Sequence, residues 1–393
     1  MSIFFHIDLD AFFAAAEVLD DPSIAGKPVV VGATPGHRGV VSTCSYEARR
    51  FGVHSAMPIS EAFRLCPEAV FKPVRMARYA ELSTLVLAVF EYFTPDLVRV
   101  SIDEASLDMS GTERLWGHPA DAAAMIRDKV RVETGLSISI GIASNRYVAK
   151  IASGTMKPAG LVVVPEGGEA EFMKNLRLKD LWGVGPRTRE RLAELGIDTM
   201  ERVLALTPES LLSILGKAGG DFIYKAARGI DPGMYSGETK SRSVSTETTF
   251  EKDVSDYGIL EERLLGMAEE LIARLYAEGA CSCCVALKLR YGDFETLSVQ
   301  ETRPEPFTGS SGVYDLAKAL LYRKWNGRPL RLIGLGLTGL DKTTVGQGSL
   351  FEEPGDRAAR VEKAGIEAAR RGFGKLTRAR LVSRPDFTPK KPS

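Results

Sequence analysis

The chain has 393 residues, of which 51 are Lys or Arg and 51 are Asp or Glu, so its formal net charge is zero. A chain of this length is expected to form several domains, because single hydrophobic cores rarely extend beyond about 250 to 300 residues. The balanced charge excludes an overall basic or acidic field, so contact with a polyanion would depend on local clusters.

The N-terminus lacks the basic and apolar runs of a secretory signal, and no stretch reaches the length of about 20 apolar residues that spans a bilayer. The sequence therefore predicts a cytoplasmic protein without membrane contact. Its five cysteines are expected to be free thiols, since disulfides are rare in that compartment. The cluster CSCC at 281–284 has no histidine nearby, which favours small core residues over metal ligands.

In chain order, residues 1–165 mix runs typical of strands with longer runs typical of helices. Strands are predicted in IFFHI, KPVVVG, LVRVSID, LSISIGIA and GLVVV, and helices in MARYAELSTLVLAVFEYF and PADAAAMIRDKVRVE. This mixture predicts an α+β domain. From about residue 172 to 230 the strand signals vanish, and short runs separated by glycines predict a small helical domain.

The turn-rich stretch GIDPGMYSGETKS (229 to 241) predicts a linker. A second α+β domain is predicted over residues 242–341. Its strands lie in RSVSTETTF, CCVALKLRY, ETLSVQETR and PLRLIGLGL, and its helices at 258–278 and 313–325. Beyond it, a polar tail contains a weak helical pattern near 356–371.

Two acidic clusters stand at predicted strand ends. Asp8 ends the strand before AFF, and Asp103 and Glu104 lie at or near the turn of a predicted hairpin. If the hairpin pairs beside the first strand, three carboxylates converge, and their repulsion favours hard cations such as Mg²⁺. The alternative is that Asp8 or Asp10 caps a helix beginning near Ala11, with the hairpin acids solvated.

Residues suited to a nucleotide follow nearby. Tyr46 and Arg49 would share a helix face and offer donors to a triphosphate, although a solvated face explains them equally well. Lys157 lies at an exposed turn, where a lone lysine is usually only solvated. Phe12 and Phe13 follow the first acids, and a ring there could exclude a ribose 2′-hydroxyl; the alternative is core packing.

Two segments are suited to a nucleic-acid backbone. In LWGVGPRTRERLAELGI, Gly183 and Gly185 open a turn before a helix that carries Arg187, a pattern that resembles a helix-hairpin-helix element. In CCVALKLRY, Lys288 and Arg290 occupy the face opposite the apolar one. The alternatives are a connector between packed helices and a solvated sheet face.

Five motifs occur together: HIDLDAFFAAAE, STCSYEARRFGV, VSIDEASLD, GIASNRYVAKIASGTMKPAGL and LWGVGPRTRERL. In order and spacing, from residue 1 to about 340, they resemble the Y-family DNA polymerases, most closely the bacterial DinB-type branch. The resemblance implies an α+β multidomain right-hand fold. Its parts are a palm with a ferredoxin-like antiparallel sheet (1–10 and 77–165), small fingers (11–76), a helical thumb with a helix-hairpin-helix (166–233), a linker (234–241), an α+β little finger (242–341) and a flexible tail (342–393).

The resemblance also implies site residues. Two Mg²⁺ ions would be bound by Asp8, Asp103, Glu104 and the backbone carbonyl of Leu9, while Asp10 would be structural. Contacts to the incoming nucleotide would come from Phe12, Phe13 as the steric gate against ribonucleotides, Thr43, Tyr46, Arg49 and Lys157. Ser42 and Ala56 would lie over the nascent base pair.

The implied activity is error-prone translesion DNA synthesis without proofreading, in which a primer 3′-hydroxyl attacks a deoxynucleoside triphosphate. The partners would be primer–template DNA, deoxynucleotides and the sliding clamp, bound by a monomer. The tail peptide QGSLF resembles a clamp-binding motif, with Gln347, Leu350 and Phe351 entering the clamp. Ser106 stands where many relatives have tyrosine.

Two alternatives remain open. One is an inactive relative that serves as a clamp-bound scaffold, although such relatives typically lack the three acids. The other is a two-metal nuclease, against which the pattern around Tyr46 and Arg49 argues.

Overall fold

The computed structural model describes residues 2–233, 242–341 and 356–370. The chain forms two compact units, Met1–Glu238 and Thr239–Ser393. Within the described ranges, no helix combines the length and apolar character needed to cross a bilayer. All five cysteines are free, as predicted.

The first unit contains eight strands and eleven α-helices in its described residues. The strands are β1 (Phe4–Leu9), β2 (Val29–Gly32), β3 (Val41–Cys44), β4 (Val70–Lys72), β5 (Leu97–Arg99), β6 (Glu104–Asp108), β7 (Ile138–Ala143) and β8 (Leu161–Val163). The helices are α1 (Phe12–Asp20), α2 (Tyr46–Arg49), α3 (Ile59–Leu65), α4 (Met76–Phe93), α5 (Glu113–Trp116), α6 (Pro119–Thr134), α7 (Arg146–Thr155), α8 (Glu169–Lys174), α9 (Pro186–Ala193), α10 (Met200–Leu204) and α11 (Pro208–Ala227). Two short 3₁₀ helices lie at Pro22–Ile24 and Leu178–Asp180.

The central sheet of this unit has the strand order β5-β6-β1-β7-β8. Its pairs are antiparallel except β7–β8, which is parallel because α7 crosses over between these two strands. Side chains alternate along β1, and Phe5, Ile7 and Leu9 join the core that also includes buried residues of α4 and α6. The opposite face of β1 carries His6 and Asp8 toward α7.

The predicted hairpin is present as β5–β6, and β6 pairs with β1, which meets the condition stated for the acids to approach one another. The capping alternative for the first acids is wrong. Helix α1 begins at Phe12, and its N-cap position is Ala11, with no side chain capping the helix. The Asp8 carboxylate is therefore not used to cap α1, and it lies at the end of the central sheet.

The region assigned to the fingers forms a small sheet of order β3-β2-β4 with its own core. Nine buried residues make up this core, among them Val30, Cys44 and Ile59. Helix α1 lies within the boundaries expected for the fingers, yet its buried apolar residues, Phe12, Ala14 and Ala16, belong to the core of the central sheet. The start of α1 is thereby held close to the end of β1.

Residues 172–230 contain helices and no strand, as predicted. Their apolar side chains share a core with Tyr147, Val148 and Ile151 of α7. The helical region is therefore packed directly against the helix that covers β1.

The second unit is an α+β layer, as predicted. It contains β9 (Ser243–Val254), α12 (Tyr257–Glu278), β10 (Cys284–Tyr291), β11 (Thr296–Thr302), α13 (Ser310–Lys324), β12 (Leu330–Thr338) and α14 (Asp356–Arg370). Its antiparallel sheet has the order β11-β10-β12-β9. Buried residues of α12 and α13 form one core with the sheet, and Ile366 of α14 packs against that core.

Candidate active site

The four residues expected to bind metal meet at one end of the central sheet. Asp8 of β1 lies directly opposite Glu104 of β6. The Leu9 backbone N–H donates to the Asp103 carbonyl oxygen at 2.9 Å. The hairpin acids thus lie next to β1, although about 95 positions separate them in the chain. Asp103 and Glu104 are adjacent, and they can face the same site because the backbone bends at the hairpin turn.

Each carboxylate of this group has a specific partner. Lys157 forms an ion pair with Asp8. Lys150 Nζ lies 2.5 Å from Glu104 Oε1. The hydroxyl of Ser101 donates to Asp103 Oδ1 at 2.5 Å. The negative charge of the site is therefore compensated by two lysines from α7 and the turn after it.

The electrostatics of the cluster are those of closely spaced buried acids. Burial raises the pKa of Asp8, and neighbouring Glu104 adds to this effect. Burial also acts to raise the pKa of Glu104, but the contacts from His6 and Lys150 outweigh it, and the net result is a lowered pKa. Two carboxylates that cannot easily both ionise are typical of a site where a cation supplies the missing charge.

The donor set fits a hard cation, since it consists of carboxylate and carbonyl oxygens. In the part of the chain that the structure describes, no three His, Cys, Asp or Glu side chains lie close enough together to hold a metal as they stand. Asp8 and Glu104 instead form ion pairs with Lys157 and Lys150. The residues thus match a hard cation in chemical type.

His6 is a buried polar residue beneath this cluster. Its side chain is fully buried, burial lowers its pKa, and Nε2 lies 3.7 Å from Glu104 Oε2. Ser106, the residue directly opposite on β6, is also buried. A buried imidazole and a buried hydroxyl thus lie on the same face of the sheet as Glu104.

Asp10 connects the segments around the site. Its carboxylate accepts hydrogen bonds from Ser137 Oγ and Ser139 Oγ at 2.7 Å, from the Ala159 backbone N–H at 2.8 Å and from Tyr46 OH at 3.3 Å. A buried carboxylate with this many donors is satisfied without a metal. Asp10 therefore holds two elements in place relative to β1: helix α2, which carries Tyr46 and Arg49, and the turn that carries Lys157.

The two residues predicted to bind the triphosphate from α2 are neighbours. Helix α2 is a single turn whose N-cap Ser45 accepts from the Ala48 N–H, and the Arg49 guanidinium lies 4.7 Å from the centre of the Tyr46 ring. Burial raises the pKa of Tyr46, so its hydroxyl is a donor at neutral pH. Thr43, on the adjoining β3, is half-buried.

Three of the remaining nucleotide-site predictions, Phe13, Ser42 and Ala56, fall on exposed or half-buried positions. Phe13 is half-buried, and its ring stacks on Tyr79 with centroids 4.2 Å apart. Ser42 and Ala56 are both exposed, and the Ala56 N–H donates to the Val41 carbonyl at 2.8 Å, which places these two residues side by side. Phe12, by contrast, is a core residue.

The glycine turn predicted to contact DNA has the expected local structure. Gly183 has a positive φ of 88°, and a Cβ at that position would lie 2.4 Å from the Phe222 ring. Gly185 is exposed and is the N-cap of α9, with Pro186 at the first helical position. Arg187 is exposed on the first turn. Free backbone N–H groups at this helix start suit a phosphate.

The basic sheet face of the second unit is less positive than predicted. Lys288 and Arg290 occupy the face away from the core, as expected. However, Lys288 Nζ forms an ion pair with Glu247 of β9 at 2.8 Å, and Arg290 Nε donates to Thr296 Oγ1. Glu247 was not identified from the sequence, because it becomes a neighbour only through strand pairing.

Sequence reasoning also missed Lys150 and Ser101. Lys150 lies on α7 and Lys157 in the turn after it, so no helical spacing in the sequence marks the two lysines as a pair. Ser101 precedes Asp103 by two positions in a turn, where serine often bonds the local backbone or side chains. The clamp-binding prediction at 347–351 and the linker at 234–241 lie outside the described residues.

Three family models match the chain. The impB/mucB/samB family model matches residues 7–154, and the model of that family's C-terminal domain matches residues 241–350. The model of the DNA polymerase-iota thumb domain matches residues 179–231.

Individual relatives agree with these models. A DNA polymerase IV of Treponema denticola is 45% identical over 340 residues, covering 86% of each chain. One from Methanoculleus marisnigri is 41% identical, covering 89% of this chain and 98% of its own. A solved Y-family DNA polymerase chimera of Dbh and Dpo4 is 27% identical with a TM-score of 0.75, covering 86% of this chain and 99% of its own. The chain therefore belongs to the Y-family DNA polymerases, in their DNA polymerase IV branch.

Proposed function

We infer that this protein is a DNA-directed DNA polymerase of the translesion type, which extends a primer 3′ end with deoxynucleotides. The observation that carries this inference is the meeting of Asp8, Asp103 and Glu104 at one sheet end, in a chain of this family. We further propose that synthesis is error-prone and without proofreading, and that the protein acts as a cytoplasmic monomer in DNA damage tolerance.

In the proposed reaction, the primer 3′-hydroxyl attacks the α-phosphate of the bound nucleotide and pyrophosphate leaves. Asp8, Asp103, Glu104 and the Leu9 carbonyl would hold two Mg²⁺ ions. When bound, Mg²⁺ lowers the pKa of the attacking hydroxyl and stabilises charge on the leaving group.

The protein's own groups bind and orient the nucleotide. Tyr46 and Arg49 donate to the triphosphate from α2, with Thr43 beside them. Lys157 exchanges its pairing with Asp8 for the triphosphate, because phosphate oxygens then provide the negative charge that it compensates. Phe13 excludes the ribose 2′-hydroxyl by its bulk.

Primer–template DNA is proposed to be bound at two surfaces. The N-terminus of α9, with Gly183, Gly185 and Arg187, would hold a backbone phosphate. The open sheet face of the second unit, with Lys288 and Arg290, would lie along the duplex. Neither contact would read base sequence.

Primer extension is the direct test of this function. A labelled DNA primer on an undamaged template is incubated with the protein, Mg²⁺ and the four deoxynucleotides. We expect short, distributive extension. Primer shortening would instead indicate a nuclease. An unchanged primer would favour the inactive, clamp-bound scaffold, which no feature of the site supports.

Lys150 is expected to support Glu104 during the reaction. The variant Lys150→Met should lower the single-turnover insertion rate by about 10- to 100-fold, the range typical of partners that orient a metal ligand. Its side chain is 12% exposed, so Glu104 would lose a buried charged partner. Lys150→Arg should retain most of the rate. Lys129→Met is the matched control, because Lys129 is a half-buried lysine whose partner is Glu133 on the same helix. An unchanged rate in Lys150→Met would contradict this role.

The peptide 347–351 is proposed to bind the sliding clamp, which would tether a weakly processive polymerase to its template. Deletion of Gln347–Phe351 is expected to weaken clamp binding by about 100-fold or more in a fluorescence titration, with primer extension in the absence of clamp unchanged. A deletion of equal length at 384–388 is the control. Equal clamp affinity in both deletions would show that the peptide is not the contact.

A further inference from the structure

The Phe13 ring is held by a second aromatic ring from another helix. Tyr79, on the first turn of α4, is fully buried and stacks on Phe13 with an interplanar angle of 13°. Phe12 contacts the same tyrosine edge-on at 6.1 Å between centroids. The position of the Phe13 ring is therefore set by α4 as well as by its own helix.

Tyr79 is in turn held by a buried carboxylate. Its hydroxyl donates to Glu17 Oε1 at 2.7 Å, and Arg75 Nε donates to the same oxygen at 2.8 Å. Glu17 is only 4% exposed. Burial raises the pKa of Tyr79 to about 12, and the bond to Glu17 adds to this effect, so the phenol remains a donor at neutral pH.

The sequence spacing makes this arrangement specific. Phe13 and Glu17 are four residues apart on α1, and Arg75 and Tyr79 are four residues apart at the start of α4, so each pair shares a helix face. A ring stack and a charge-assisted hydrogen bond then join the two faces at two points. With its ring and its hydroxyl both held, Tyr79 has little freedom to tilt.

Helices α1 and α4 are also joined by contacts that do not involve Glu17, and these could hold the two helices together. Arg75 also pairs with Asp20 at 2.8 Å, and Arg78 pairs with Asp20 at 2.9 Å. These ion pairs are partly exposed, whereas the hydroxyl of Tyr79 donates to Glu17. Glu17 differs from Asp20 because only Glu17 contacts the tyrosine behind the gate.

We propose that Glu17 is a positioning residue for sugar discrimination: by fixing the Tyr79 hydroxyl, it fixes the Phe13 ring against which a ribose 2′-hydroxyl would collide. This inference rests on the proposed function of Phe13 as the steric gate. Exclusion by collision depends on small displacements, since a shift of about 1 Å at a reacting site can change rates about 100-fold. Loss of Glu17 loosens the gate without removing it.

The test compares kcat/KM for a deoxynucleotide with that for the matching ribonucleotide, using the full chain. We expect Glu17→Met, which keeps side-chain length but cannot accept a hydrogen bond, to lower the discrimination ratio by about tenfold or more. Glu17→Gln retains an acceptor oxygen and should keep most of the ratio. Tyr79→Phe, which keeps the ring and loses the hydroxyl, should behave as Glu17→Met does.

Asp20→Asn is the matched control, because it weakens the other partner of Arg75 and should leave the ratio unchanged. The midpoint of thermal unfolding is measured for every variant, and Tyr79→Phe decides the outcome if Glu17→Met does not fold. The inference is overturned if folded Glu17→Met and Tyr79→Phe both keep the wild-type discrimination ratio. It is also overturned if Asp20→Asn lowers that ratio as much as Glu17→Met does. If Phe13→Val also leaves discrimination unchanged, the gate assignment itself has failed.

Discussion

Replacement of Asp103 by alanine is expected to abolish primer extension. Asp103 is placed at the hairpin turn beside Leu9, and with Asp8, Glu104 and the Leu9 carbonyl it is proposed to hold the two metal ions. Charge stabilisation by bound metal contributes several kcal/mol to such displacements. Because about 1.4 kcal/mol corresponds to tenfold in rate, we expect the insertion rate to fall by about 1,000-fold or more.

The measurement is single-turnover extension of a labelled primer by wild type and Asp103→Ala under the same Mg²⁺ concentration. Asp108→Ala is a matched control, since Asp108 ends strand β6, which begins directly after Asp103, and accepts a local hydrogen bond from the Ser110 N–H. Asp108→Ala should extend primers at nearly the wild-type rate. Wild-type extension by Asp103→Ala would contradict the metal assignment, even though family membership would stand.

Replacement of Phe13 by valine is expected to have the second largest effect, on the choice of sugar. The ring is half-buried and rests on Tyr79, so its exposed edge is backed by a rigid surface. Replacing the ring with the smaller isopropyl group of valine leaves space for a 2′-hydroxyl, and discrimination that depends on a steric clash is lost with the clash. We expect kcat/KM for ribonucleotides to rise by about 100-fold relative to that for deoxynucleotides.

Single-nucleotide insertion with each nucleotide type measures this ratio. Deoxynucleotide insertion by Phe13→Val should remain within a few fold of wild type, which shows that the site is intact. Phe63→Val is the control, because Phe63 is 46% exposed on α3 and has no proposed contact with the sugar. Continued exclusion of ribonucleotides by Phe13→Val would assign the gate to another residue.

The local elements were largely determined by the sequence. The run from Met76 to Phe93 is one helix, as its pattern predicts, and the hairpin acids lie where β6 begins. Helix periodicity, strand alternation and turn residues act over a few positions, so they can be recognised without the fold. The pairing of the hairpin with β1 was a conditional expectation, and its confirmation placed Asp8 opposite Glu104.

The partners of the functional side chains were decided by the tertiary structure alone. Lys150 and Glu104 are 46 positions apart, and Tyr79 and Glu17 are 62 apart. Glu247 pairs with Lys288 only because β9 and β10 both border β12. No local pattern signals such contacts, because they arise when packing brings distant segments together and fixes long side chains in one geometry.

The sequence by itself thus determined the division into α+β and helical regions, the acids at the sheet end and the resemblance to one polymerase family. Only the tertiary structure decided which lysine compensates which acid and which ring supports Phe13. The physical reason is that secondary structure follows from short-range periodicity, whereas the pairing of buried charges and rings depends on which faces the folded core brings within a few ångströms of each other.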